Sequence, residues 1–252
     1  MKLLLIVSLL FASSLSAQES LSGYEPVLLP VYAGVSPVNG VNGSSFRTRL
    51  SVFSERLFTF YPGITEPFSE TALTLLPRDF DVPSKGRLVW IDRSAVNDVH
   101  FGYTLISNDA SLLAPEQRTA LPVVRERELR SGSIELLNIP VRPQRFRHTL
   151  RIYDVLRDGS AVVTVRVELM DVGGTGTLET FTVPIDRVDG ADASYPYYAE
   201  VPLELPCLRF GSEECGSYEA RLSLTLAPDI PYWAFVSSTD NMTQQVSIYA
   251  PQ

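Results

Sequence analysis

The sequence is short of the side chains on which most enzyme chemistry depends. It has two histidines, His100 and His148, and two cysteines, Cys207 and Cys215. Lys2 and Lys85 are its only lysines. It contains no Gly-x-Ser-x-Gly elbow, no His-Glu-x-x-His pair and no Gly-x-x-x-x-Gly-Lys loop, which removes the common hydrolase, zinc-protease and nucleotide signatures. Positive charge is in deficit: 21 lysines and arginines face 29 aspartates and glutamates, a net charge of −8. That balance repels phosphate backbones, so nucleic acid is a poor partner. The remaining cations are arginines, whose planar fork suits carboxylate pairing on a sheet surface. Past the N-terminus no apolar run reaches the 20 or so residues a bilayer-spanning helix needs.

The first 17 residues have the layout of a secretory leader. Lys2 supplies the positive end, Leu3 through Phe11 the apolar core, and Ala12, Ser13, Ser14, Ser16 and Ala17 the small-residue tail. The apolar core is too short to span a membrane, and cleavage is expected after Ala17. The mature chain is therefore expected to be secreted or periplasmic. No cysteine lies near the cleavage site to accept a lipid.

The mature chain reads as β-structure. Eighteen prolines and fifteen glycines in 252 residues imply many turns and few long helices. The stretch Ser45-Phe46-Arg47-Thr48-Arg49-Leu50-Ser51-Val52-Phe53 has a second copy at Arg145-Phe146-Arg147-His148-Thr149-Leu150-Arg151-Ile152-Tyr153. Both alternate with period two, the mark of a strand with one buried face. A strand repeated about a hundred residues later points to two related β domains. Phe46 and Phe146 are expected at equivalent buried positions. Leu29-Pro30-Val31 has an echo at Leu121-Pro122-Val123, again upstream of a Phe-Arg strand. Short strand signals bounded by Pro, Gly, Asn or Asp run through the rest of the chain, and only Leu112–Arg118 breaks their rhythm. The expected fold is all-β: two antiparallel β-sandwich domains of immunoglobulin type in tandem, residues 18–118 and 119–252, with one larger shared sandwich as the alternative.

Few residues carry candidate chemistry. An exported chain meets oxidising conditions, so Cys207 and Cys215 are expected to form a disulfide. Asp186, Asp189 and Asp192 surround a glycine, a composition calcium accepts, although the spacing is not that of an EF-hand. Tyr195, Tyr197, Tyr198, Tyr232 and Trp233 could form an aromatic platform for sugar, against the simpler reading that they fill a sandwich core. His148 falls on the inward face of its strand and reads as a hydrogen-bonded core residue, since a catalytic base needs a reachable nucleophile or carboxylate. The glycines of Asp171–Gly176 join two strands, whereas a phosphate cradle opens a helix. No cofactor is implied.

The succession Leu29-Pro30-Val31, Ser45-Phe46-Arg47-Thr48, Leu121-Pro122-Val123-Val124-Arg125-Glu126, Phe146 through Asp154 and Trp233 through Asn241 resembles a group of exported bacterial proteins with paired β-sandwich-like halves. The resemblance implies export and brings no catalytic residue with it. The expected function is that of a non-catalytic binding or structural module of the cell envelope or extracellular space, with a protein or an envelope polysaccharide as partner. A carbohydrate-binding or calcium-dependent lectin-like module, and a hydrolase using two carboxylates, are the alternatives.

Overall fold

In the computed structural model the described residues are 23–31, 38–40, 43–54, 58–61, 68–70, 74–75, 86–109, 116–142, 144–155, 161–171, 174–186, 195–205, 219–227 and 230–251. They form four antiparallel sheets and contain no α-helix. The first half holds β1 (Tyr24–Leu29), β2 (Val38–Asn39), β3 (Ser44–Ser54), β4 (Phe58–Tyr61), β5 (Phe68–Glu70), β6 (Thr74–Leu75), β7 (Arg87–Asp92), β8 (Val99–Asp109) and β9 (Gln117–Ala120). A two-residue strand, β10 (Val124–Arg125), leads into the second half. That half holds β11 (Ser133–Pro140), β12 (Phe146–Asp154), β13 (Val162–Asp171), β14 (Gly174–Pro184), β15 (Tyr197–Leu203), β16 (Glu219–Ala227), β17 (Trp233–Asp240) and β18 (Val246–Tyr249).

The Phe-Arg repeat is the visible part of a larger duplication. The sheet order β1-β7-β4-β5 recurs as β11-β16-β13-β14. The order β6-β3-β8-β9 recurs as β15-β12-β17-β18. With β2 and β10 set aside, strands taken in chain order occupy the same places in both halves. In a constant-type immunoglobulin domain the first and second strands share a sheet; here β1 and β3, like β11 and β12, lie in different sheets.

Two sequence expectations need correction. The counterpart of Leu29-Pro30-Val31 is Ile139-Pro140-Val141, because β1 and β11 end there; Leu121-Pro122-Val123 instead joins β9 to β10. The two phenylalanines hold matching strands but are only half-buried, whereas Thr48, Leu50, Val52, His148, Leu150 and Ile152 on the same faces are buried. Phe146 opens β12 and so sits at the rim of its sheet. Truncating either phenylalanine should cost less than the ~3–5 kcal/mol of a fully buried one. Position 118 falls inside β9, and β10 beyond it still pairs with β1.

Three buried clusters explain how the sheets stack. Val27, Leu29, Val89 and Ile91 meet Leu50, Val52, Tyr103 and Leu105 across the first sheet pair. Ile134, Leu136, Val163, Val165, Leu222 and Leu224 meet Leu150, Ile152, Ala199 and Val236 across the second. The third cluster joins the halves: Leu28, Leu88, Trp90 and Val124 pack on Tyr153, Val155, Trp233 and Phe235. β1, β7 and β17 are therefore buried on both faces, which is why Val27–Leu29, Leu88–Ile91 and Trp233–Val236 are continuous apolar runs. Tyr153 and Phe235 stack with ring centroids 6.3 Å apart, and Trp233 lies 5.3 Å from Phe235. Gly86 adopts φ +83°, and a Cβ there would lie 2.9 Å from the Tyr153 ring, so glycine serves both the backbone and the close approach. Val246 of β18 also reaches into the first-half cluster, and Thr119 Oγ1 donates to its carbonyl at 2.9 Å.

A buried ion pair holds the connecting segment in place. Arg125 Nε donates to Glu25 Oε1 at 3.0 Å, with both side chains about nine-tenths buried. Its Nη2 donates to the Val96 carbonyl at 2.7 Å. Removing one partner leaves the other charge buried and unpaired. Arg125→Met is therefore expected to lower stability by ~3–5 kcal/mol, and adding Glu25→Leu to recover much of that loss. Urea unfolding of the single and double variants checks this: two losses that simply add would contradict the pairing.

Candidate functional site

Most residues singled out in the sequence are placed as structure. Tyr197, Tyr232 and Trp233 are 5%, 0% and 4% exposed, so the aromatic platform does not form. Tyr197 faces the second-half core, Tyr232 donates its hydroxyl to the Leu224 carbonyl at 3.0 Å, and Trp233 belongs to the junction. Tyr198 packs on that junction cluster. Tyr195 links the halves: Arg87 Nη1 donates to its hydroxyl at 2.6 Å, and the guanidinium lies 4.8 Å from the ring centre. The alternation of β15 and the double burial of β17 turn these aromatics inward. Asp186 is exposed and bridges to the Tyr198 backbone. Asp189, Asp192, Cys207 and Cys215 lie outside the described residues, as do residues 1–17. Among the described residues no three His, Cys, Asp or Glu side chains come together as metal ligands. Nor does any helix among the described residues reach the length and apolarity needed to cross a membrane.

One broad polar surface does gather functional groups. The outer face of the β11-β16-β13-β14 sheet carries a trough of about 500 Å³ lined by Glu135, Thr164, Arg166, Glu168, Thr180, Arg221, Ser223 and Thr225. Strand register builds it. Glu135 pairs with Ser223, Ser223 with Arg166, and Arg166 with Thr180 across all four strands. Thr225 and Thr164 form the row on one side, and Arg221 and Glu168 the row on the other. Every second residue of each strand faces the core, so the polar residues between them share one outer face.

The charges in the trough are paired. Glu135 Oε2 accepts from Arg221 Nε at 2.7 Å and from Ser223 Oγ at 2.8 Å. Glu168 Oε1 lies 2.7 Å from Arg166 Nη2, and its Oε2 lies 3.8 Å from Arg221 Nε. Partial burial works to raise the Glu135 pKa, but the hydrogen bonds from Arg221 and Ser223 outweigh it and hold the carboxyl below its ordinary value. The same bond raises the Arg221 pKa. A glycosidase acid needs the opposite, a carboxyl kept protonated near neutral pH. Glu135, held ionised by Arg221 and Ser223, is placed to accept hydrogen bonds.

A second concavity, of about 360 Å³, lies between the turn after β7 and the connecting segment. Arg125, Arg127 and His100 border it above Val99, Phe101 and Leu121. Arg125 is already committed to Glu25 and Val96, so this hollow is chiefly a consequence of how the connection is anchored.

No family model matches the chain, and neither does any curated protein or solved structure. The trough was only partly visible in the sequence. The alternation of Thr164, Arg166 and Glu168 with buried valines marks β13, but its partners Glu135, Thr180, Arg221, Ser223 and Thr225 come from three other strands.

His148 has a testable consequence for stability. It is 4% exposed, its Nδ1 lies 2.5 Å from Ser238 Oγ, and its Nε2 is buried without a hydrogen bond. The expected core hydrogen bond is the one between Nδ1 and Ser238 Oγ. Burial lowers its pKa to about 4, with the Pro140 backbone opposing the shift. A histidine whose pKa falls on folding contributes full stability above its unfolded value of about 6.5, and loses it as pH falls toward the folded value. Stability is expected to drop by ~3 kcal/mol between those limits from this group alone. His148→Thr, the residue found at position 48 of the other copy, should flatten that segment of the pH profile in urea titrations. An unchanged slope would contradict the assignment.

Proposed function

We propose that the chain is an exported, non-catalytic binding or structural module made of two β-sandwich domains in tandem. The observation that carries this reading is the junction cluster of Leu28, Leu88, Trp90, Val124, Tyr153, Val155, Trp233 and Phe235. A shared buried surface of this kind fixes one half against the other, which suits a body that presents surfaces at constant geometry. It supplies no reacting groups. The paired charges outside the junction are consistent with the same role, since arginines neutralise carboxylates that a hydrolase would leave available. The partner is a protein or a cell-envelope polysaccharide. Export rests on the leader-like residues 1–17, and the Cys207–Cys215 disulfide rests on export.

Cross-linking in intact cells, followed by fractionation, tests the reading. The exported protein should start at Gln18, titrate no free thiol, and be recovered with envelope polysaccharide or an envelope protein. Met1 retained on protein outside the cytoplasm would remove the leader, and two titratable thiols would remove the disulfide. Turnover of a glycan that Glu135→Gln abolishes would replace the binding reading with a hydrolase.

A further inference from the structure

We propose that the trough on the β11-β16-β13-β14 sheet binds an extended, neutral polysaccharide, a proposal that rests on the binding-module reading. The first argument is the type of hydrogen-bonding capacity on offer. Arg221 engages protein partners through Nε alone, and its terminal amino groups make no bond to the described residues. The hydroxyls of Thr164, Thr180 and Thr225, which line the same trough, make none either. Glu135 receives both of its donors at Oε2, so Oε1 remains an acceptor. Open donors and open acceptors thus stand side by side. A sugar hydroxyl donates and accepts at once and can use both. The carboxylates of a polyanion are acceptors only and would confront Glu135 and Glu168. The ammonium groups of a polycation are donors only and would confront Arg166 and Arg221.

The second argument is charge. Two arginines and two glutamates balance within the trough, so it holds no excess charge to attract an ionic polymer. The whole chain carries −8, which disfavours acidic polysaccharides further.

The third argument is shape. Val162 and Met170 are 39% and 37% exposed, among the few large apolar side chains left in solvent. Both lie on β13 in the same alternating set as Thr164, Arg166 and Glu168, one at each end of the trough. From Val162 to Met170 the strand runs roughly 27 Å at about 3.4 Å per residue. A polar centre with apolar ends along one line matches a chain whose rings present hydroxyls at their edges and C–H groups on their faces. Scattered exposed hydrophobics need no explanation; two at the ends of one polar row do.

Affinity electrophoresis in gels containing a neutral glucan, a neutral galactomannan, polygalacturonate or chitosan tests the proposal. The neutral polymers are expected to retard the wild-type chain. Arg221→Met, and separately the combined Thr164→Val, Thr180→Val and Thr225→Val variant, which keeps the branched shape strands favour, should weaken retardation about tenfold or more, the first by loss of a charge-assisted hydrogen bond and the second by loss of two or three neutral ones. Arg49→Ala, on the β3 strand of the other half, should leave it unchanged. Urea midpoints of the threonine variant should match wild type, so its loss reads binding and not folding. The proposal is overturned by failure of every neutral polymer, by retardation that ignores the trough variants, or by stronger binding of a charged polymer through the same residues. Running the in-cell capture with the threonine variant separates the two readings. Capture by wild type and variant alike, without glycan binding, removes this site and keeps the module; no capture by wild type removes the module itself.

Discussion

Burial of the faces that β1–β7 and β12–β17 turn toward each other is the constraint on which the molecule depends. Sheets with one apolar face need one partner; β1, β7 and β17 are apolar on both faces and need two. The result is a four-layer stack with the β3–β8 sheet at one end and the β13–β16 sheet at the other. At ~1.5–3 kcal/mol for each large side chain removed from water, eight junction residues outweigh any surface ion pair in the structure. Gly86, Tyr195 and the Arg125–Glu25 pair refine that contact; they do not create it.

The stack determines what is left for function. Among the described residues the inner strands β1, β7 and β17 are buried on both faces, so the widest open polar sheet face is on an outermost layer. At one end, the trough alternates arginine, glutamate and threonine across four strands. At the other, β3 carries Arg47 and Arg49, with Arg47 paired to Glu116 at 2.9 Å. The arginine-rich, lysine-poor composition has its physical reason here: a planar guanidinium can bridge side chains on neighbouring strands, as Arg221 does between Glu135 and Glu168 and as Arg151 does between Glu200 and Ser237.

Much of the fold was legible because period-two alternation is a local signal. It placed β3, β12 and β13, and the Phe-Arg repeat announced the duplication. Where both faces are buried, alternation disappears, so Leu88–Ile91 and Trp233–Val236 showed burial without showing what lay on either side. Leu121-Pro122-Val123 echoes Leu29-Pro30-Val31 without sharing its place in the fold, since three residues match easily by chance and the structural counterpart begins with Ile139. Strand order was beyond local reading, because β1 pairs with β7 some sixty residues later. The trough was hidden for the same reason: its groups meet only once four strands have their register. The tyrosine cluster misled in the other direction, because adjacent aromatics in sequence alternate between layers in a strand.

The central claim is that the junction makes the two halves one cooperative body. Differential scanning calorimetry of the wild-type chain and of Phe235→Ala tests it most directly. Phe235 is fully buried in the junction and outside both sheet-pair cores, and its truncation should remove ~3–5 kcal/mol. The wild type is expected to unfold in one transition whose calorimetric and van't Hoff enthalpies agree, and Phe235→Ala to lower that transition or split it in two. Two separate transitions in the wild type, unmoved by Phe235→Ala, would contradict the account.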